Sequence, residues 1–437
     1  MLGDEAQAIV APSFKIAPLR RNKVRHRSNP GQISAIQICR GDYKTIMADL
    51  KIFCDGIEGE ALKQIQALAE FDAYKDSKVR IMPDAHAGAG CTIGTTMTLT
   101  DKVTPNLVGV DIGCGMIVAE LGNVFVDPLK LERLIEKDIP SGMNVRENAI
   151  EETAEGLALV DAMRSPHGKR EYNALSVGTL GGGNHFIELD EDDDGNMYLV
   201  VHSGSRNLGK KVCEHYQHLA EKERYYAGQG TVAELIARLK AQGRAREIQA
   251  ELKKLGSKPG LKDPLAYLEG KSFDDYIHDM GLCQRFAELN RKAMICVITE
   301  GMGLKPKAVW QTIHNYIDIE NMILRKGAIS ARKGERVLIP MNMRDGSLIC
   351  IGKGNPDWNY SAPHGAGRLM SRADAFKRIQ MEDFQNDMNG IASWSVCDST
   401  KDEAPGAYKP TESILAQIGP TVEVERIIRP VYNYKAH

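Results

Sequence analysis

The fold of this chain is decided by two neighbouring runs, VRIMPDAHAGAGCTIGTTMTLT (residues 79–100) and VGVDIGCGMIVAEL (residues 108–121). Each run combines β-branched and apolar residues with glycines, a pattern that is typical of short strands ending in tight loops. The same pattern returns in ALSVGTLGGGNHFIEL (residues 174–189) and MYLVVHSGSRNLG (residues 197–209). For the polar segment between them, DEDDDGN (residues 190–196), a hairpin turn is favoured over a metal-binding loop.

Helical patterns separate these strand-rich blocks. Apolar spacing predicts a helix over 58–71, an antiparallel helical hairpin over 212–254 interrupted at Gly228 and Gly230, and helices near 273–300 and 366–388, while strand texture returns over 307–355. Because no proline-rich linker and no internal repeat divides the chain, we expect one α+β domain over residues 1–437. The hairpin is then an insertion on the main body. Residues 1–30 form a basic N-terminal arm, for which solvation is favoured over phosphate contact.

Composition and charge exclude several classes of protein. The chain has 437 residues, with 56 basic and 58 acidic side chains and a net charge of −2. This balance excludes a protein held on nucleic acid by bulk charge, although it is compatible with a local basic groove. The 9 cysteines are odd in number and form no CxxC pair, which favours reduced thiols over a disulfide framework. No apolar run is long enough for a secretory signal or a membrane span, so we expect a cytoplasmic protein without a membrane partner.

The 41 glycines cluster beside residues that bind metals or transfer protons. Six segments share this design: Pro83–His86, Asp111–Gly115, Gly183–Glu188, His202–Arg206, His314–Asn315 and His364–Arg368. Imidazoles, a carboxylate and a thiolate together form a ligand set for a borderline divalent ion such as Mn, Fe, Co or Zn. Asp111 and Cys114 lie three residues apart, and this spacing is compatible with one shared ion or with two neighbouring ions.

The segment His364–Arg368 favours phosphate binding. It precedes a helical pattern, and the N-terminus of a helix attracts anions. The chain has no full GxGxxG spacing and no GxxxxGK[ST] match, so neither a dinucleotide fold nor a Walker-type site is expected. A nucleotide would have to be held in another way, and one possibility is a covalent bond to an imidazole nitrogen.

Ordered motif blocks give the chain a specific resemblance. MPDAHAGAGCTIG, VGVDIGCGM, LGGGNHFIE, VHSGSR, HNY, RKGAISA, SAPHGAGRLMSR and DEAPGAYK resemble the blocks of the RtcB-type RNA-splicing ligases, from about Pro83 to Lys435. The resemblance implies a mixed α/β sandwich around a central metal and nucleotide pocket. It also implies a GTP- and Mn²⁺-dependent ligase of RNA repair or tRNA splicing. Such an enzyme joins an RNA 3′-phosphate or 2′,3′-cyclic phosphate to a 5′-hydroxyl.

The resemblance also implies site residues. His364 would be the nucleophile that takes GMP as a phosphoramidate. Two Mn²⁺ ions would be held by Asp111, Cys114, His185, His202 and His314. The GTP site would be formed by Asn184, His185, Phe186, Ile187, Glu188, His314, Asn315, Pro340, Met341, Asn342, Met343, Ser347, Gly365, Ala366, Gly367, Arg368, Tyr408 and Lys435.

The chain departs from the family pattern at three places. Met341-Asn342-Met343-Arg344 replaces the usual Gly-Ser-Met-Gly, Ala89 stands where relatives often carry Lys, and Ala436-His437 follows Lys435 in place of Gly. In this loop Asn342 is expected to keep the ability to bond a base. Two alternatives follow from such divergence: a metal-dependent RNA-end phosphoesterase without ligation, and a non-catalytic RNA-binding paralogue. Accessory proteins that stimulate guanylylation occur in this family, so a protein partner beside the RNA is left open.

Overall fold

The computed structural model describes residues 49–229, 232–251 and 263–436. Within these ranges the helices are α1 (Gly59–Ala69), α2 (Pro128–Asp138), α3 (Thr153–Asp161), α4 (Arg170–Leu175), α5 (Arg206–Gln229), α6 (Val232–Ala241), α7 (Gly270–Met302), α8 (Arg372–Arg378), α9 (Met381–Asp387) and α10 (Thr411–Ile418). The strands are β1 (Leu50–Ile52), β2 (Val79–His86), β3 (Ile93–Thr98), β4 (Lys102–Val103), β5 (Gly115–Gly122), β6 (Phe186–Glu191), β7 (Met197–Ser203), β8 (Leu268–Glu269), β9 (Ala308–Ile313), β10 (Asn315–Asp318), β11 (Ile323–Lys326), β12 (Ala328–Ser330), β13 (Arg336–Asn342), β14 (Gly346–Gly352), β15 (Ser361–Pro363) and β16 (Val422–Lys435). This mixture confirms the predicted α+β class.

A seven-stranded sheet forms the central layer, in the order β13-β14-β16-β6-β7-β5-β9. Every neighbouring pair in it is antiparallel. The segment predicted as a turn connects β6 and β7, and Asp192 there accepts the backbone N–H of Asp194 and of Asn196, both at 2.9 Å. The hairpin turn is therefore confirmed.

A second sheet of five strands, in the order β1-β2-β3-β11-β10, carries the first quoted motif. Only the β1–β2 pair is parallel among its ladders. Two short sheets, β12-β15 and β4-β8, complete the strands of the described ranges. Since β12 follows β11 directly and pairs with β15, it brings the segment after β15 close to this second sheet.

Helix α7 connects two parts of the core. Tyr276, Met280 and Cys283, at the spacing of one helix face, pack into a cluster with residues of the five-stranded sheet and of α1. Further along, Met294 and Ile298 pack into a second cluster with residues of the seven-stranded sheet. One long amphipathic helix therefore supports both groups of strands from which the site is built.

Two of the four predicted helical regions agree with the structure, and a third agrees only in part. Helices α1 and α7 confirm the predictions near 58–71 and 273–300. In the region of the proposed hairpin, α5 begins at Arg206 and continues through Gly228, so the predicted interruption at Gly228 is wrong, and α6 ends at Ala241 before a turn over 242–243. Gly230 and residues 252–254 lie outside the described residues. The hairpin arrangement and its role as an insertion stay predictions, as does the division into a single domain with an N-terminal arm, since residues 1–30 also lie outside.

The helix predicted over 366–388 is wrong. Two short helices, α8 and α9, replace it, and the chain is extended at Ile379 and Gln380 between them. Helix α8 begins only after Ser371, whose side chain accepts the backbone N–H of Asp374 and so caps the helix. His364 therefore does not lie at a helix N-terminus. No helix in the described ranges combines the length and the apolar composition needed to cross a membrane.

Candidate active site

Strand register brings the predicted metal ligands together at one end of the seven-stranded sheet. Gly115 of β5 pairs with Ser203 of β7 and with Ile313 of β9. Phe186 of β6 pairs with His202 of β7. Cys114 and His185 directly precede their strands, whereas His202 and His314 lie at or after the ends of theirs. Because neighbouring strands are antiparallel, these starts and ends meet at the same edge.

The thiol of Cys114 lies at the centre of the cluster. Its Sγ is 3.2 Å from Nε2 of His202 and 3.4 Å from Nε2 of His185. His185 Nε2 is 2.9 Å from Oδ2 of Asp111, and the Nε2 atoms of His202 and His314 are 3.4 Å apart. Two groups of ligand atoms result, each within 4.8 Å, and Cys114 belongs to both: Cys114, His202 and His314 form one, and Asp111, Cys114 and His185 the other.

The imidazoles are oriented by backbone carbonyls. Nδ1 of His185 donates to the carbonyl oxygen of Leu180 at 2.8 Å, and Nδ1 of His202 donates to that of Asn184 at 3.0 Å. This arrangement leaves the Nε2 lone pairs directed at the cluster, which is how metal-binding histidines are commonly fixed. Burial holds the pKa of His202 and of His314 well below its usual value, so both rings are neutral.

The donor set fits a divalent cation. Burial raises the pKa of the Cys114 thiol, and the neighbouring Asp111 carboxylate raises it further. A bound cation reverses that balance, because a thiol that coordinates a metal is deprotonated. Neutral imidazoles with one thiolate and one carboxylate are the ligands of a borderline divalent ion. The two groups of ligand atoms share the Cys114 sulfur, which is compatible with one shared ion or with two neighbouring ions.

Helix α7 supplies two supporting residues that the sequence reasoning missed. Arg291, fully buried, donates from Nη1 to the carbonyl oxygens of Gly113 and Ser203, at 2.7 and 2.9 Å. Asn290 donates from Nδ2 to the hydroxyl of Ser203 at 3.1 Å and to the carbonyl of Gly204 at 3.0 Å. These contacts hold the two ligand-bearing loops to the same helix. An Asn-Arg pair among the buried apolar positions of an amphipathic helix is the signal that could have identified them.

His364 is held by a buried carboxylate. Its Nδ1 donates to Oδ2 of Asp84 at 2.6 Å, and its backbone N–H donates to the same oxygen at 3.1 Å. Asp84 is fully buried in β2, and Gly367 approaches it so closely that a Cβ there would lie 2.1 Å from its carbonyl oxygen. The ring of His364 lies 5.0 Å from that of His314, centroid to centroid. The ring of His364 therefore lies beside the candidate metal ligands, with its Nδ1 engaged by Asp84.

A cavity of about 1020 Å³ opens in front of His364 and the cluster. Most of the predicted site residues line it: Asp111, Cys114, Asn184, Phe186, Glu188, His202, His314, Asn315, Pro340, Met341, Asn342, Met343, His364, Gly365, Ala366, Gly367, Arg368, Tyr408 and Lys435. His185, Ile187 and Ser347 are absent from this lining. Ile187 packs in the second apolar cluster, because alternate residues of a strand face opposite sides of its sheet.

Glu403 is a third residue that the sequence reasoning missed, although it lies within the quoted motif DEAPGAYK. One of its carboxylate oxygens lies 3.3 Å from Arg368 and 2.7 Å from Arg372. The other accepts the hydroxyl of Tyr408 at 2.7 Å and the Nζ of Lys435 at 3.1 Å. Burial by itself raises the pKa of this carboxyl, but these partners outweigh it and lower the value to about 2. As an anion, Glu403 thus holds four residues of the cavity wall in place: Arg368, Arg372, Tyr408 and Lys435.

Glu188 provides an acceptor on the same side of the cavity. Burial raises its pKa to about 7, against the opposing effects of Lys435 and of a hydrogen bond from Asn433. Asn433 donates from Nδ2 to Oε1 of Glu188 at 2.5 Å. Such a carboxyl can accept or donate near neutral pH, which suits contact with the polar edge of a base.

The divergent loop 341–344 is closed by its own side chains. Oδ1 of Asn342 accepts the backbone N–H of Arg344 at 3.0 Å and of Asp345 at 2.9 Å, and its Nδ2 donates to the carboxylate of Asp345 at 2.9 Å. The side-chain amide of Asn342 is therefore hydrogen-bonded within the loop, which does not match the expectation that it bonds a base. Met343 packs against Phe384 of α9. The loop keeps a defined shape by means other than glycine.

Comparisons with known proteins indicate the family of this chain. A family model described as tRNA-splicing ligase RtcB matches residues 64–162 and 142–436. The RNA-splicing ligase RtcB of Escherichia coli K12 is 31% identical over 423 residues, covering 88% of this chain and 96% of its own. The tRNA-splicing ligase RtcB of Aeropyrum pernix is 26% identical over 452 residues, covering 80% and 86%. That of Thermococcus kodakarensis is 25% identical over 428 residues, covering 77% and 82%.

Proposed function

The chain belongs to the RtcB family of tRNA-splicing ligases, and on this premise we propose that it joins RNA ends with GTP and Mn²⁺. The substrates of the proposed reaction are an RNA 3′-phosphate, or a 2′,3′-cyclic phosphate, and a 5′-hydroxyl. The observation that carries the proposal is His364, anchored on Asp84 at 2.6 Å, beside a two-group metal cluster at the wall of one cavity.

The first step is the transfer of GMP to the protein. His364 Nε2 attacks the α-phosphorus of GTP, a P–N bond forms, the bond to the β-phosphate oxygen breaks, and pyrophosphate leaves. The ring becomes positively charged as it attacks. The Asp84 carboxylate stabilises that charge because it accepts a hydrogen bond from the N–H at Nδ1. GMP then passes to the RNA 3′-phosphate, and the 5′-hydroxyl displaces it.

Asp111, Cys114, His185, His202 and His314 are the residues that would hold the two Mn²⁺ ions. When bound, such ions neutralise phosphate charge and can activate a water to open a cyclic phosphate. The selection of Mn²⁺ over softer metals rests on geometry and supply rather than affinity, because thiolate and imidazole bind several divalent ions more tightly.

The nucleotide side of the cavity supplies charge and hydrogen bonds. Arg368 and Lys435 are cationic, and Lys435 Nζ also lies 5.3 Å from the ring centroid of Phe186. Glu188 and Tyr408 can bond the edge of a guanine. The backbone of residues 365–367 carries only small side chains, so its N–H groups can come close to a phosphate. Ser347 and Ile187 contribute to this wall from behind rather than by direct contact.

The test is a guanylylation assay with GTP labelled on the α-phosphate. Wild-type protein with Mn²⁺ should acquire an acid-labile label, His364→Ala should acquire none, and a 2′,3′-cyclic phosphate oligonucleotide should then be joined to a 5′-hydroxyl strand. His278→Gln is a matched control, since this imidazole is half-buried and does not line the cavity. Wild-type protein that never acquires label contradicts the ligase proposal.

One observation favours a second candidate, a metal-dependent phosphoesterase that processes RNA ends without joining them. The amide of Asn342, in the divergent loop on the guanine side, is engaged by Asp345 and so offers less to a nucleotide. Loss of terminal phosphate that needs Mn²⁺ but not GTP, without any joined product, would favour this activity over ligation.

A further inference from the structure

His86 lies on the cavity wall and has no part in guanylylation or metal binding as derived above. It is the last residue of β2, two residues after Asp84, and its half-buried imidazole lines the cavity that contains His364. Both rings are anchored on Asp84. The carboxylate holds His364, and the backbone carbonyl holds His86, at 3.1 Å from Nδ1. The two imidazoles are therefore fixed relative to each other by one buried residue.

The hydrogen bond of His86 determines its tautomer. A carbonyl oxygen only accepts, so Nδ1 carries the proton and Nε2 carries the lone pair. Burial lowers the pKa of His86 to about 4, with the neighbouring His364 and Lys409 acting in the same direction and Asp84 opposing them. The ring is thus neutral at physiological pH, with a free acceptor nitrogen.

The backbone beyond His86 is rigid. Gly88 exchanges two hydrogen bonds with the side chain of Gln64 on α1, at 2.8 and 3.2 Å. The N–H of Ala87 donates to Oε1 of Glu58 at 2.7 Å. On the other side, Lys409 Nζ donates to the carbonyls of Pro83 and Ala85, at 3.0 and 3.1 Å. A proton acceptor is effective only when it is held in position, and these contacts do so.

The joining step of the proposed function needs such an acceptor. A 5′-hydroxyl is a poor nucleophile while it keeps its proton, whereas the leaving GMP departs as an anion and needs none. Among the imidazoles that line the cavity, His202 and His314 direct Nε2 into the metal cluster. That leaves His86 and His364. His364 has already passed its GMP to the RNA before this step, so the experiment below compares the two residues.

We propose that His86 is a further catalytic residue, whose Nε2 accepts the proton of the RNA 5′-hydroxyl during joining. This inference rests on the proposed function. As the O5′–P bond forms, the P–O bond to GMP breaks and the hydroxyl proton moves to His86. The imidazolium then releases that proton to water, and the site is restored.

The test separates joining from guanylylation. An RNA whose 3′-phosphate already carries GMP is mixed with a 5′-hydroxyl strand and His86→Gln, in a single turnover with Mn²⁺. Joining should fall by about 100-fold or more, the usual contribution of a general base, while labelling of His364 from GTP stays within about 3-fold of wild type. Retained labelling shows that the variant is folded. His278→Gln should behave as wild type in both assays.

Two results overturn the proposal. The first is joining by His86→Gln at close to the wild-type rate. The second is an equal loss of labelling and joining, which would indicate a structural role. Failure of wild-type protein to join the preactivated ends contradicts the proposed function itself, whatever the labelling. A large loss of joining in His364→Ala but not in His86→Gln would assign the proton to His364. Absence of label on wild-type His364 contradicts the proposed function instead, and the two failures are thereby distinguishable.

Discussion

Replacing Asp84 by Asn tests whether the carboxylate charge drives attack by His364. In the structure one oxygen, Oδ2, accepts both N–H groups of His364, at 2.6 and 3.1 Å, and the other, Oδ1, is buried without a partner among the described atoms. The amide oxygen of Asn can take the place of Oδ2. Both hydrogen bonds then persist, and what is lost is the negative charge beside a ring that becomes positive.

The expected magnitude follows from that loss. A hydrogen bond to a charged group contributes about 1.5–3 kcal/mol and a neutral one about 0.5–1.5 kcal/mol, so the loss of charge alone removes about 1–1.5 kcal/mol. At about 1.4 kcal/mol per factor of ten in rate, guanylylation should slow by about 5- to 15-fold. The Asn amide group at the position of Oδ1 has no acceptor, so the free energy of unfolding should also fall, by about 1–3 kcal/mol.

The assay measures single-turnover labelling of His364 from α-labelled GTP, with saturating Mn²⁺ and GTP. Asp357→Asn is the matched control, because this carboxylate is exposed and its ion pair with Lys51 contributes little. Chemical denaturation in parallel shows how much stability is lost. A labelling rate for Asp84→Asn within about 3-fold of wild type, with the protein folded, would refute the role of the charge.

Three further predictions concern the metals, the cationic wall and the divergent loop. Cys114→Ala removes the one atom shared by both ligand groups, so elemental analysis should find clearly less Mn²⁺ in this variant than in wild-type protein. Cys350→Ala, at a buried thiol outside the cavity lining, is the control and should keep the wild-type Mn²⁺ content. Equal Mn²⁺ content in the two variants would contradict the shared thiolate. Glu403→Gln removes the buried negative charge that Arg368, Arg372 and Lys435 share and should destabilise the fold by about 3–5 kcal/mol in chemical denaturation. Because the folded-state pKa of Glu403 is depressed to about 2, wild-type protein should lose this stabilisation as the pH falls from about 4.5 towards 2, and the variant should show a flatter profile there; parallel profiles would argue against the charged network. Asn342→Ala removes the hydrogen bonds that close the 341–344 loop and should raise the KM for GTP more than it lowers kcat. An unchanged KM would show that this loop does not contribute to nucleotide binding.

The motif blocks were enough to predict the family and the chemical class of the site. Ligand identity is local information: a thiol, imidazoles and a carboxylate beside glycines narrow the choice of metal before any fold is known. The α+β class also follows from local patterns, since strand and helix periodicities are written into short windows of sequence. Predictions at helix ends were weaker, as the break at Ile379 shows.

Support and pairing, by contrast, depended on residues far apart in the chain. Arg291 lies 178 positions from Gly113 in sequence, yet it donates to that carbonyl, and no spacing rule connects the two. The same holds for Glu403. The role of its carboxylate becomes evident only from the three cations that surround it in the structure, Arg368, Arg372 and Lys435.

The sequence alone therefore determined which atoms could do the chemistry, because side-chain identity sets basicity, charge and ligand type. Only the tertiary structure decided where those atoms meet. Antiparallel register placed Cys114 and His185 at the starts of strands beside the ends that carry His202 and His314. Close packing also placed the Asp84 carboxylate against His364 and the Asn342 side chain against the backbone of its own loop. Register and packing are cooperative properties of the whole fold, since each contact depends on many others being in place.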